Sequence, residues 1–451
     1  MTLNIGEDRN YNLPAKDSKI FVLKNSSQDK KSSIFSKLWD SIKYIGIVII
    51  LILFIFNIIP AFGPAKIGTR EYISIIAIPY VFLLKKRLPK VIWILYLANW
   101  TQVFFSVFTI LINDTLDLWY VQFAIRNILY LSGAILIADL SPLRIDINKF
   151  ILGIIIAILI NDIVAAYGFF NPSFMQQLVN LQQINEERAN KTIEFAVRMI
   201  GLGYGSYFNG GVINGIGIIL TVYLISKNSI SLLYGSILIF FLFIIGLFIA
   251  RTTIVGAGIA FIYFTTVLKP QKTIVVIFSI ASLLILILSI GVFDNVNTDH
   301  AFEIFQGLDG LLNNRSMEEM SSMYEVEMSD KTIFIGDGLS KINGHYYMKT
   351  DVGWMRNILY FGIIGTIIGY VYYEAVLFYK WYRIAKFMLP LIIAFAIDLF
   401  ILNFKGLADF NFMIFLIVAY VIKVNKHKHY TNENPTYHTL PRNWRSPKAL
   451  D

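Results

Sequence analysis

Hydrophobic and polar positions fall into long blocks rather than a short repeat. Twelve apolar runs, at roughly 44–62, 70–84, 91–112, 118–138, 150–170, 207–226, 230–250, 252–268, 273–293, 354–373, 387–403 and 409–422, are separated by polar segments. Most are ~20 residues long, which lets an α-helix cross a hydrocarbon core of ~30 Å. The second and last are short, as for helices that tilt or are partly embedded. A membrane barrel would instead alternate apolar and polar residues in ~10-residue strands. The pattern predicts an all-α polytopic membrane protein of about twelve transmembrane helices. A polar tail covers 1–43, a transmembrane domain 44–422 and a basic tail 423–451. Two outer loops are long, 171–206 and 294–353, the second lying between helices nine and ten. Long loops without helices or strands of their own are often functional. The second carries eleven Asp and Glu against four Lys and Arg, with short helices expected around Ser316–Glu327. No internal repeat is visible.

Composition narrows the class. Of 451 residues, 56% are hydrophobic and only 15% charged, where soluble domains carry ~25%. Mean hydropathy is +0.61. These values exclude a water-soluble enzyme, a disordered chain and a peripheral protein with one anchor. There is no cysteine, so thiol chemistry and Cys metal sites are excluded. No cleavable signal peptide precedes the first run. The net charge of +9 fits cytoplasmic loops rich in Lys and Arg. With the N-terminus in the cytoplasm, twelve spans put 26 Lys and Arg inside and 11 outside, with Arg126 and Arg356 within spans. This bias predicts both termini in the cytoplasm. The two tails read as solvated, and His427 and His429 have no acidic neighbour that would suggest a metal.

The informative residues are cations where topology and burial disfavour them. A charge at the centre of a membrane helix costs ~2.5–3.5 kcal/mol on insertion scales and usually faces a cavity or a partner. Between Lys227 and Lys269 the chain must cross twice, which puts the turn near residue 248 and Arg251 at the tip of a helical hairpin. There it adjoins the N-terminus of the returning helix, a place that attracts anions. A snorkelling arginine that marks a helix end is the plainer reading. Arg198 precedes a stretch with seven glycines between 201 and 217. These glycines suit either a closely approached ligand or close helix packing. His345, Asp351 and Arg356 close the long acidic loop. A loop histidine is commonly a surface residue, and Asp351 would also serve as a helix N-cap. Lys405 joins the last two spans on the outer side, and Arg126 is a weaker candidate. An outward cavity lined by Arg198, Arg251, Arg356 and Lys405 would suit a pyrophosphate, because arginine forks match phosphate oxygens. No Walker A, Asp-x-Asp or His-Glu-x-x-His pattern occurs, so neither ATP nor a catalytic metal is implied.

Taken in order, these segments resemble bacterial O-antigen and capsular repeat-unit polymerases and the related O-antigen ligases. Three signatures carry the resemblance. The first is Arg198–Gly201 with Asn209. The second is Ala250-Arg251-Thr252, where the family commonly has Ser-Arg-Thr. The third is Gly336-x-Gly338 followed by His345, Asp351, Gly353 and Gly362-Ile-Ile-Gly365. The family's frequent Pro-Asn after Asn209 is missing, so Asn209 takes no site role. The resemblance implies a GT-C-like, metal-independent glycosyltransferase without cofactor in the bacterial inner membrane. Its site would face the periplasm and join polyprenyl-pyrophosphate-linked repeat units. Arg198 and Arg251 would bind the leaving pyrophosphate and stabilise its charge, Arg356 and Lys405 would assist, and His345 or Asp351 would act as general base. The implied partners are undecaprenyl-pyrophosphate-linked repeat units, membrane lipids, a chain-length regulator and a flippase, with no nucleic acid. A ligase passing the same donor to lipid A core, for which His345 speaks, and a lipid-linked oligosaccharide flippase or transporter are the alternatives.

Overall fold

The computed structural model describes residues 39, 41–60, 67–84, 88–142, 145–182, 198–203, 207–268, 270 and 321–433. Expectations for the ninth apolar run, for 183–197 and 204–206 of the first outer loop, for 294–320 of the second and for both distal tails lie outside these residues. The chain divides into a short unit, Met1–Gly46, and the main unit, Ile47–Asp451. In the short unit the described residues are helical.

The described residues are mostly helical with almost no sheet, and six helices are long and apolar enough to cross a membrane. The protein is a helical membrane protein. In chain order the helices are α1 (Ser41–Phe56), α2 (Thr69–Leu84), α3 (Lys90–Asn113), α4 (Trp119–Leu140), α5 (Ile147–Phe170), α6 (Pro172–Asn180), α7 (Tyr207–Ser226), α8 (Leu232–Ile249), α9 (Thr253–Val267), α10 (Asp330–Phe334), α11 (Gly353–Gly365), α12 (Tyr372–Ile384), α13 (Leu389–Leu402) and α14 (Asn411–Glu433). The six are α3, α4, α5, α7, α8 and the continuous rod Gly353–Ile384 that contains α11 and α12. A two-residue hairpin pairs β1 (Lys341–Ile342) with β2 (His345–Tyr346).

Helix α3 shows why the sequence packs this way. Asn99, Gln102, Ser106 and Thr109 are buried, while Leu97, Trp100, Phe104, Phe108 and Leu111 are exposed. Both sets recur every three or four residues, so each lines one face of the helix. Polar inward and apolar outward inverts the soluble pattern and is what a lipid solvent requires. On α14 every residue from Asn411 to Val421 is buried, as expected of a helix that is apolar all round. Helices α2, α3 and α4 pack in one group with α14 against α4. Helices α5, α7, α8, α9 and α13 form a second group, joined to the first by α5 against α14.

Glycine sets the closest crossing. At Gly256 an added Cβ would lie 2.4 Å from the Gly215 Cα, so α7 and α9 meet backbone to backbone. Helix packing therefore accounts for Gly211 and Gly215 in the glycine-rich stretch. The same chemistry explains the spacing Gly336-x-Gly338…Gly362. Gly362, at φ +68°, breaks α11. The N–H groups of Asp337 and Gly338 then donate to the carbonyls of Leu359 and Tyr360. A Cβ on Gly336 would stand 2.3 Å from the Tyr360 carbonyl oxygen. These glycines build a backbone joint that fixes the 336–346 loop against the rod. A π-helical turn at Thr366–Val371 follows the break.

Three expectations need correction. Lys423 is not part of a solvated tail: α14 runs on to Glu433, and the Lys423 ammonium donates to the carbonyls of Ala138, Asp139 and Ser141 at the end of α4. A cation there satisfies orphaned carbonyls. The tenth apolar run continues to Ile384 rather than stopping near 373, because the π turn re-enters the helix. Of the stretch expected to be helical around Ser316–Glu327, residues 321–322 are helical and 323–327 are not, and a further short helix lies at α10.

Candidate functional site

One cavity of about 700 Å³ collects most of the residues singled out above. Arg198, Arg251, Asp351, Arg356 and Lys405 line it, with Arg126 and also Arg70, Glu71 and Asp409. They come from segments spread over some 340 positions of the chain, so tertiary folding alone brings them together.

Each is placed by local structure. Helix α8 ends at Ile249, and α9 starts at Thr253. Arg251 thus sits in a tight turn, close to the position expected from the crossing arithmetic. The Thr253 hydroxyl donates to the carbonyls of Ala250 and Gly211, and that of Thr252 donates to the Phe208 carbonyl. These bonds lock the turn against α7. Arg198 is brought to the same rim because the next N–H, of Met199, donates to the Phe248 carbonyl at 3.1 Å. The Asn161 side chain of α5 then accepts from the Leu202 N–H at 2.7 Å. Gly203, at φ +68°, passes so close to the Phe56 carbonyl that a Cβ would lie 1.6 Å from its oxygen.

The cavity is electrostatically divided. At one end Glu71 accepts from the Tyr130 hydroxyl, the Asn57 amide and the Gly68 N–H, and it lies 4.0 Å from Arg126. Asp409 sits in the field of Arg70 and Arg126. Arg70, 7% exposed, spends its donors on the Phe54 and Ile55 carbonyls at the end of α1 and packs its guanidinium 3.5 Å from the Phe412 ring centre. Here two cations face two carboxylates, and Arg70 has a structural task. Among the described residues the remaining charged lining is Arg198, Arg251, Lys405 and Arg356 with Asp351. Desolvation and then the positive charges of Arg251 and Arg198 lower the Lys405 pKa, while Asp351 acts the other way. Like charges held this close raise the energy of the empty site and favour an anion. Asp351 itself is raised above the usual carboxylate value by desolvation, against the lowering influence of Arg356 and Lys405.

Asp351 is not the N-cap of α11, a position held by Val352, and it lines the cavity. Arg356, 7% exposed, lies over the rings of Trp119 at 4.7 Å and Tyr346 at 4.3 Å. His345, by contrast, is exposed on β2 and is not among the cavity-lining residues.

Sequence reasoning missed Asp117. Its Oδ2 accepts from the Ser340 N–H and hydroxyl, each at 2.6 Å, and from the Lys341 N–H, while Oδ1 accepts from the Trp119 N–H at 3.0 Å. One carboxylate therefore ties the start of α4 to the hairpin that carries Tyr346. Burial acts to raise its pKa, but these hydrogen bonds outweigh it and hold Asp117 below its usual value. An Asp just ahead of a helix is visible in the sequence, although the N-cap position itself is held by Leu118. The bond of Asp117 to a loop some 220 residues away has no local signature. No protein-family model, curated protein or solved structure matches this chain.

Proposed function

We infer that this membrane protein is a metal-independent, GT-C-type polymerase of polyprenyl-pyrophosphate-linked oligosaccharide repeat units. In this reading it has twelve spans and cytoplasmic termini, and its cavity opens to the outer face of a bacterial inner membrane. The observation that carries the reading is the excess of cations among the described residues, Arg198, Arg251 and Lys405 beside Asp351, on one cavity between apolar helices. A pyrophosphate attached to a lipid brings the negative charge that suits such a lining and an apolar tail that the bilayer accommodates.

The acceptor hydroxyl of one lipid-linked unit attacks the anomeric carbon of the other. The bond from that carbon to the pyrophosphate oxygen breaks, and the lipid pyrophosphate leaves. Arg198 and Arg251 bind this leaving group and stabilise its growing charge, with Lys405 beside them. Asp351 takes the hydroxyl proton. Its upward-shifted pKa makes it a better match for that task than an ordinary carboxylate. The ligase alternative drew its support from His345, which lies outside the cavity lining.

The test is incubation of the purified chain with the organism's own lipid-pyrophosphate-linked repeat unit. A polymerase yields a ladder of longer lipid-linked glycans without nucleotide sugar or ATP. A ligase leaves the substrate unextended until lipid A core is added, and a flippase moves it without changing its mass. Either of the last two results would overturn the reading.

A further inference from the structure

Arg356 differs from the other cations of the cavity. It is 7% exposed, and among the described residues its Nε and Nη2 have no hydrogen-bond partner. No carboxylate lies within ion-pair distance of it there. A guanidinium stripped of water and given no acceptor is costly unless something else completes it. Nε and Nη2 lie along one edge of the group and present two parallel N–H donors, which matches the two oxygens of a planar carboxylate. The guanidinium carbon lies over two aromatic rings, 4.7 Å from the centre of Trp119 and 4.3 Å from that of Tyr346. Trp119 continues the wall by stacking on Phe123 at 5.7 Å with an interplanar angle of 12°. Trp119, Phe123, Tyr346 and Arg356 all line the cavity.

This wall meets the cluster assigned to pyrophosphate at Asp351, on which both Arg356 and Lys405 act. The charges felt by Lys405 are those of Arg251, Arg198 and Asp351, whereas Arg356 acts on Asp351 and on Tyr120. Asp351 thus stands between the two groups of cations. An acceptor that extends at its free sugar end carries its own pyrophosphate several sugars away. The anionic group near Asp351 on the acceptor side must then belong to a sugar. The apolar C–H face of a pyranose suits the Trp119–Phe123 surface, and a ring carboxylate would meet the Arg356 edge. One shielding ring, that of Tyr346, is 39% exposed, so its side chain can rotate while the tethered hairpin backbone stays in place. An incoming sugar can displace it.

We propose that Trp119, Phe123, Tyr346 and Arg356 form an acceptor subsite for a carboxylate-bearing sugar, so that the repeat unit is an acidic glycan containing a uronic acid or a similar residue. The inference rests on the polymerase reading for its acceptor assignment, but the subsite can be tested apart from it. Methyl β-glucuronide, methyl β-glucoside and inorganic pyrophosphate would be titrated separately into the full chain in nanodiscs, with saturation-transfer NMR for the sugars and calorimetry for pyrophosphate. The glucuronide should bind at least about tenfold more tightly than the glucoside, with saturation transferred to its ring protons. Arg356→Gln should remove that preference while leaving pyrophosphate binding within about twofold, and Arg356→Lys should restore it only in part. Thermal melting of both variants would check that they fold. Equal binding of the two glycosides, no binding of the glucuronide, or loss of pyrophosphate binding from Arg356→Gln equal to that from Arg251→Ala would each overturn the proposal. If pyrophosphate does not bind at all while the glucuronide binds through Arg356, the subsite stands and the polymerase reading falls.

Discussion

Replacing Asp117 by Ala should release the hairpin that carries Tyr346 without unfolding the helical bundle. Ser340 is buried, and both its N–H and its hydroxyl bond to the Asp117 carboxylate at 2.6 Å. Removing that acceptor leaves a buried N–H unsatisfied, at a cost of about 1–3 kcal/mol. Loss of the bond to the Trp119 N–H at the start of α4 adds about 1 kcal/mol, as for an ordinary hydrogen bond. The local total of about 2–4 kcal/mol corresponds to roughly 30- to 900-fold faster opening. Hydrogen exchange followed by mass spectrometry in nanodiscs would read this at the amides of residues 340–347, with peptides from α4 and α14 as internal controls. Asp117→Asn keeps one acceptor oxygen and should fall between the two. The pH dependence has a definite sign. Because the folded-state pKa is lowered, the stabilisation is present above the unfolded value of about 3.9 and fades as pH falls through the lower folded value. Protection of the hairpin should therefore be flat from pH 5 to 8. Exchange at residues 340–347 within threefold of wild type in Asp117→Ala would refute the tether.

Four further outcomes follow from the same geometry. Arg251→Ala should abolish chain extension with normal membrane insertion, and Arg251→Lys should restore little of it, because a point charge does not replace a bidentate fork. Normal polymer from Arg251→Ala would reduce that residue to a helix-end marker. If Asp351 is the base, turnover should rise with pH through a value above the ordinary 3.8. Lys405→Ala, by removing a charge that lowers this pKa, should shift the limb of kcat to higher pH, and an unshifted limb would argue against Asp351. Gly256→Val should cost about 1–3 kcal/mol through its contact with Gly215, read as a lowered melting temperature, while Gly258→Ala, with nothing within 4 Å of its Cβ, should be silent. The chain has no cysteine, so single Cys probes report topology cleanly: Asn180 and Ser316 should react with an impermeant reagent from outside, and Ser33 and Thr436 should not.

Much of the fold was legible because the lipid solvent imposes simple rules. Long apolar runs became helices within a few residues of their expected bounds, as with α3 and α5. The hairpin tip at Arg251 followed from counting residues between Lys227 and Lys269. What was not legible depended on distant backbone contacts. The break at Gly362 is dictated by Phe334 and Ile335, next to which an added Cβ would clash. The capping of α4 by Lys423 and the Asp117 tether join residues more than 200 positions apart. At the site, charge out of place flagged Arg198, Arg251, Arg356 and Lys405, since a cation on the outer side or within a span needs a reason. Asp409 carries no such flag, being an acidic residue in a short turn before α14. Nor does Trp119, one aromatic among 15%. His345 drew notice by residue type alone and lies outside the cavity lining.

The central claim is that pyrophosphate departure drives chain growth. It is tested most directly by counting both products in one incubation of the purified chain with its own lipid-linked repeat unit and a chelator. The expected result is one free polyprenyl pyrophosphate for every glycosidic bond formed, with both falling together in Arg251→Ala. Chain growth without that release, or release without growth, would contradict it.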